Sequence, residues 1–147
     1  MSTTPSMSIQ ADEYIEMNYD EFVKLGVRFF EEFPPVKDQI STQVRNLQQV
    51  VTSATRFVEI EDFVKNQMGK GRNASMPWRN LGEAVLKQLN ELRAARANVP
   101  GLQEDREAPE AEQLPFRLRL ARGWVRAVVS EYLYRFASRR MEDAPHG

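Results

Sequence analysis

The stretch from Phe116 to Arg140, FRLRLARGWVRAVVSEYLYRFASRR, decides the fold class. At 100° per residue, Leu118, Ala121, Val125, Val128, Val129, Tyr132 and Phe136 fall on one side, and Arg119, Arg122 and Arg126 form a stripe beside them at i, i+3 and i+7. That spacing predicts an amphipathic helix. The same stretch concentrates seven arginines (Arg117, Arg119, Arg122, Arg126, Arg135, Arg139 and Arg140) against a single acid, Glu131. A core-anchored helix with an arginine ridge can hold phosphates; the competing reading is a solvated face whose arginines pair with acids elsewhere.

Working outward, the apolar positions recur at helical spacing in four further segments. Tyr19 to Phe33 predicts an acidic helix burying Phe22, Leu25, Phe29 and Phe33, stopped by Pro34-Pro35, with protein as its partner. Ser41 can cap a helix that places Val44, Leu47, Val51, Ala54 and Val58 on one stripe and Arg45, Gln49, Thr52 and Arg56 on the opposite one. Ile60, Phe63, Val64 and Met68 predict a helix from Phe57 to Met68, separate or continuous with the previous one, ending at Gly69. Trp78, Leu81, Val85, Leu89 and Leu92 mark the next, started by Ser75 and Pro77 and ended by Val99-Pro100-Gly101. No segment alternates with period two, and no repeat of 20 to 50 residues is present. The expected fold is all-α, a bundle of about five helices over residues 19–140. It carries an acidic loop at about 102–115, a mostly disordered tail at 1–18 and a C-terminal tail at 141–147.

Composition narrows the chemistry. At 147 residues the chain is long enough to bury one core without staples, and it contains no cysteine, so thiolate metal sites and thiol nucleophiles are excluded. Its one histidine, His146, is the penultimate residue and has no partners for base catalysis. Glu31-Glu32, Glu59/Asp62 and Glu104/Asp105 read as solvated surface acids, so no catalytic residue, metal site or cofactor is nominated. The Gly69-Lys70-Gly71-Arg72 loop lacks the GxxxxGK[ST] spacing and the preceding strand of a phosphate-binding loop. Phe29, Phe30, Phe63, Trp78 and Trp124 sit at core spacing; Tyr134 is open to stacking on bases, whereas Tyr132 reads as core. With no basic-then-apolar leader and no run of about 18 apolar residues, a cytoplasmic, non-membrane protein is expected. Charge is segregated: residues 1–40 hold three bases and eight acids, 41–99 nine and five, and 100–115 one and five. Two basic blocks that shared a face would attract a polyanion despite the sequence pI of about 5.9.

Three stretches, in order, resemble the small helical subunit of type III-A (Csm-type) CRISPR effector complexes. Ile40-Ser41-Thr42-Gln43-Val44-Arg45-Asn46-Leu47 is similar to the family's helix start of paired hydroxyl residues, a polar residue, an aliphatic residue and arginine. Leu86-Lys87 followed by Leu92-Arg93-Ala94-Ala95-Arg96 is similar to its leucine-lysine helix ending in a small residue and arginine, with Ala95 where glycine is common. Trp124-Val125-Arg126-Ala127-Val128-Val129 with Tyr132 resembles its aromatic and alanine-rich last helix. The resemblance implies a non-catalytic subunit of an antiviral defence particle, stacked in several copies along guide RNA and target RNA beside the backbone and large subunits. Base pairing reads sequence in such particles, so a protein along the strands needs only phosphate and sugar contacts. Arg45 and Arg96 occupy motif positions and are the first candidates for RNA contact. Arg56, Lys70, Arg72, Arg93, Arg122 and Arg126 follow from local charge alone. The competing reading of Arg45 is an ion-paired residue of a helix start, and that of Arg96 a cation favoured by a helix C-terminus. The alternative function is a helical adaptor that self-associates through acidic and basic helices without binding nucleic acid. A DNA-binding regulator would need a helix-turn-helix that the Pro34-Pro35 and Pro100-Gly101 interruptions do not create.

Overall fold

A computed structural model describes residues 4–70, 76–100 and 106–142. Among these the chain is an all-α bundle of six helices: α1 (Met7–Met17), α2 (Tyr19–Glu32), α3 (Thr42–Ser53), α4 (Phe57–Gly69), α5 (Met76–Ala94) and α6 (Glu110–Glu142). The 33-residue α6 is about 50 Å long, and α1, α2 and α3 pack along it. Its apolar side buries Phe116, Leu120, Ala121, Trp124, Val128 and Tyr132. The α2 helix packs against it at Gly26, where a Cβ would stand 2.7 Å from the Val128 carbonyl oxygen.

Behind this layer, Trp78 of α5 is fully buried and meets Phe29, Phe33 and Phe63 edge-on or tilted, with ring centroids 5.3 to 5.8 Å apart. Both tryptophans find acceptors for their ring N–H groups: Trp78 donates to Gln43 Oε1 (3.0 Å) and Trp124 to Gln88 Oε1 (2.8 Å). The expected core positions of α2 and α3 are buried, except that Val58 is exposed. Its exposure follows from a break: Ala54 is extended, so α3 and α4 are separate helices and the stripe does not continue across them.

Four sequence expectations are corrected. The segment expected to be a disordered tail at 1–18 contains α1, capped by the Ser6 hydroxyl, which accepts from the Ile9 amide. Only Ala11 of this helix is fully buried. Met7, Tyr14 and Ile15 pack partly buried against the core, and polar ties add to them: Gln10 exchanges two hydrogen bonds with the Asn98 backbone (2.8 and 3.0 Å), and Asp12 pairs with Arg119. The acidic loop expected at 102–115 is helical from Glu110 onward, while 101–105 lie outside the described residues. Its other described part is tied down, with Val99 N–H on the Arg106 carbonyl (2.7 Å) and Ala108 N–H on that of Ala97 (2.9 Å). Finally, α5 ends at Ala94 rather than Val99, and α6 runs through Met141 and Glu142, where a tail was expected.

Tyr132 links three elements. Its hydroxyl donates to the Phe33 carbonyl at 2.7 Å and accepts from the Ser41 amide at 3.1 Å. Burial pushes this phenol above its ordinary pKa, against the lowering effect of the Ser41 bond. The unfolded chain therefore ionises first, and stability declines as pH rises past about 10. Tyr132→Phe should cost about 1–3 kcal/mol near neutral pH, because it strands the Ser41 amide and the Phe33 carbonyl. Thermal melts between pH 8 and pH 11 should show a shallower alkaline decline in the variant than in the wild type. Parallel declines would contradict this account.

Candidate nucleic-acid interface

Arg119, Arg122 and Arg126 remain exposed while Leu120, Ala121, Trp124 and Val125 between them are buried. The stripe lies between two walls. On one side Arg119 forms a two-point pair with Asp12 of α1 (Nε to Oδ1 3.3 Å, Nη2 to Oδ2 3.2 Å). On the other, Arg122 Nη2 donates to the Ala54 carbonyl just past the end of α3 (3.3 Å). Ile15 of the first wall packs over Gly123: a Cβ there would stand 2.1 Å from Ile15 Cδ1, so any larger residue would force the Ile15 side chain to move. The result is a cleft of about 640 Å³ with Met7, Ile15, Pro115 and Phe116 among its lining. A second hollow of about 330 Å³ shares Asp12, Ile15, Gly123 and Arg126 with it.

The three arginines are not electrostatically alike. Asp12 offsets Arg119, Arg122 has only a carbonyl, and Arg126 has no hydrogen bond or ion pair among the described residues. Arg122 and Arg126 thus present two cations whose donors are largely unspent. The α3 helix runs antiparallel beside α6, as the Ser41–Tyr132 and Ala54–Arg122 contacts require. Arg45, Gln49 and Thr52 of its polar stripe are exposed, and Arg56, expected on the same stripe, is exposed past the break, at the cap of α4. Arg45 has no partner among the described residues, and Arg56 makes only an exposed pair with Glu59 at 3.5 Å, of the kind that contributes little.

Arg93 and Arg96 are placed differently. Arg93 pairs at 2.9 Å with Glu61, which is nearly buried on α4. Arg96 reaches the Arg93 carbonyl (3.4 Å) and Glu110 (3.7 Å), and Glu110 also holds the buried Arg117 at 2.8 Å. Arg117 and Arg119 lie two residues apart, about 200° around the helix, so this network sits across α6 from the stripe. The expected cations therefore do not form one track. Lys70 is exposed beyond the last turn of α4, and Arg72 lies outside the described residues.

Sequence reading missed the α1 wall, with Ser8, Asp12 and Ile15, and the residues Ala111, Glu112 and Pro115 at the start of α6. The available signal was Met7, Ala11, Tyr14 and Ile15 at i, i+4, i+7 and i+8 behind a serine cap. Among the described residues no cluster of three or more His, Asp or Glu side chains is placed to hold a metal ion. No described helix is long and apolar enough to cross a membrane. Set against known proteins, the chain matches no family model, no curated protein and no solved structure.

Proposed function

We propose that this chain is a non-catalytic small subunit of a type III RNA-guided CRISPR effector, gripping the sugar-phosphate backbone of guide or target RNA. The observation that carries the proposal is the uncovered α6 stripe, where Arg122 and Arg126 face solvent without a carboxylate partner. Arg45 on α3 and Arg56 at the start of α4 are further exposed cations. Arginine suits the task because its planar fork can give two parallel hydrogen bonds to phosphate oxygens and stays charged. An A-form duplex hides its base edges in a deep, narrow groove, so backbone contact is the accessible mode. The three ordered stretches of family resemblance add the class of particle. The assay is affinity for a guide–target RNA duplex over a salt series. A falling log-log line is expected, with a slope of about −0.7 to −0.9 per phosphate contact. No binding at low salt would refute the proposal.

A different observation favours the second reading, a helical adaptor that associates with its own copies. Beyond Tyr132, α6 leaves Leu133, Tyr134 and Met141 exposed at 42%, 66% and 77%, along a stripe bordered by Arg135, Arg139 and Arg140. The outer face of α1 has the opposite charge: exposed Ile9 and Met17 flank Glu13 and Glu16. Glu131 and Asp38 already pair with Arg135 and Arg140, so the contact rests on the apolar residues of the two faces, one meeting the other head to tail. Sedimentation should find Tyr134→Glu alone monomeric, and Glu13→Arg/Glu16→Arg alone monomeric. An equimolar mixture, which retains one intact pair of faces, should stop at dimers. A mixture that stays monomeric would exclude this contact.

A further inference from the structure

The cleft beside the arginine stripe has more features than a backbone grip requires. Its floor is apolar, contributed by Met7, Ile15, Pro115 and Phe116. Two hydrogen-bonding groups, the Ser8 hydroxyl and the Glu112 carboxylate, line it without partners among the described residues. Arg122 and Arg126 stand at its other end. Its volume of about 640 Å³ lies within the range of small-molecule sites, about 300–1,000 Å³.

We propose that this cleft takes one unstacked nucleotide of a single-stranded RNA segment, with the base on the apolar floor and its phosphate on Arg122 and Arg126. The chemistry selects that occupant. A flat base gains by leaving water for an apolar slot, and its amino or imino N–H groups can donate to Glu112 and Ser8. An acyl chain would leave both of those groups without a partner and would meet the Glu112 carboxylate. The second hollow shares Asp12, Ile15, Gly123 and Arg126 with the cleft, which places the two next to each other along α6 as a path for the rest of the strand.

This inference rests on the RNA-contact reading, and the test separates the two. Affinity is measured for a short single-stranded RNA and for the same strand with abasic ribose at every position, both over a salt series. The intact strand should bind about tenfold tighter, with the same salt slope. Ala111→Trp, on an exposed wall of the cleft, should reduce the intact strand to the abasic affinity while leaving the abasic affinity and the melting temperature unchanged. Equal binding of both strands would overturn the nucleotide site and leave the backbone grip standing. Binding of neither strand would overturn both. Displacement of the intact strand by decanoate, together with no difference between the strands, would assign the cleft to an acyl anion and also overturn the proposal.

Discussion

Replacing Gln113 by leucine should lower the melting temperature by about 10 °C, a large effect for one buried side chain of nearly unchanged volume. The Gln113 side chain is fully buried. Its oxygen accepts from the Ala97 amide (2.9 Å), and its nitrogen donates to the carbonyls of Ala97 (3.1 Å) and Ala108 (3.0 Å). Leucine leaves the Ala97 amide and the Ala108 carbonyl buried without partners, while the Ala97 carbonyl keeps its bond from Ala108 N–H. Each stranded group costs about 1–3 kcal/mol, so the total is a substantial part of the 5–15 kcal/mol that typically separates folded from unfolded chains. At about 2–4 °C per kcal/mol for a chain of this size, the melting shift follows. Gln113→Glu gives an independent check. At neutral pH its carboxylate would face two carbonyls, and acidification to pH 5 should recover part of the loss by restoring an O–H donor. A leucine variant melting within about 2 °C of wild type would show that the strap does not hold the start of α6.

That strap also explains which parts of the structure the sequence made legible. Long, strongly periodic helices were readable because burial alone dictates them: Phe22, Leu25 and Phe29, or Trp78, Leu81, Val85 and Leu89, each define a face that needs no distant partner to interpret. What escaped is fastened in part by polar contacts between residues far apart in the chain. The α1 helix depends on Gln10 meeting Asn98, 88 residues away, and the segment before α6 is fastened by a glutamine that composition marks as surface. An acidic, proline-rich stretch predicts a loop until the carboxylates find cations, as Glu110 does with Arg96 and Arg117. The same limit applies to the candidate interface. The α6 ridge was visible as Arg119, Arg122 and Arg126 at helical spacing. Ion pairing was not: periodicity gives no sign that Glu61 neutralises Arg93 or that Asp12 offsets Arg119. Arg96 fitted a family motif and a helix end equally well in the sequence, and its contacts with the Arg93 carbonyl and Glu110 are those of a residue fastening the end of α5.

Charge reversal on the α6 stripe, Arg122→Glu with Arg126→Glu, should weaken RNA binding by at least about a hundredfold. Charge-assisted hydrogen bonds contribute about 1.5–3 kcal/mol each, and every 1.4 kcal/mol is about tenfold in affinity. Two lost contacts therefore reach that figure before the repulsion from the new carboxylates is added. The salt slope should flatten by about 1.4 to 1.8, the sum expected for two phosphates. Folding should barely change, since both side chains are exposed and the only bond given up is the one from Arg122 to the Ala54 carbonyl. Arg93→Ala with Arg96→Ala should behave the other way round. It strands the nearly buried Glu61 carboxylate and removes one of the two cations from Glu110, so stability falls while RNA affinity holds. Measuring affinity, salt slope and melting temperature for both pairs separates a binding surface from a structural one. If the Arg93/Arg96 pair carried the affinity and the α6 pair did not, the RNA would lie across the α4–α5 face, and the groove between α1 and α6 would lose its role.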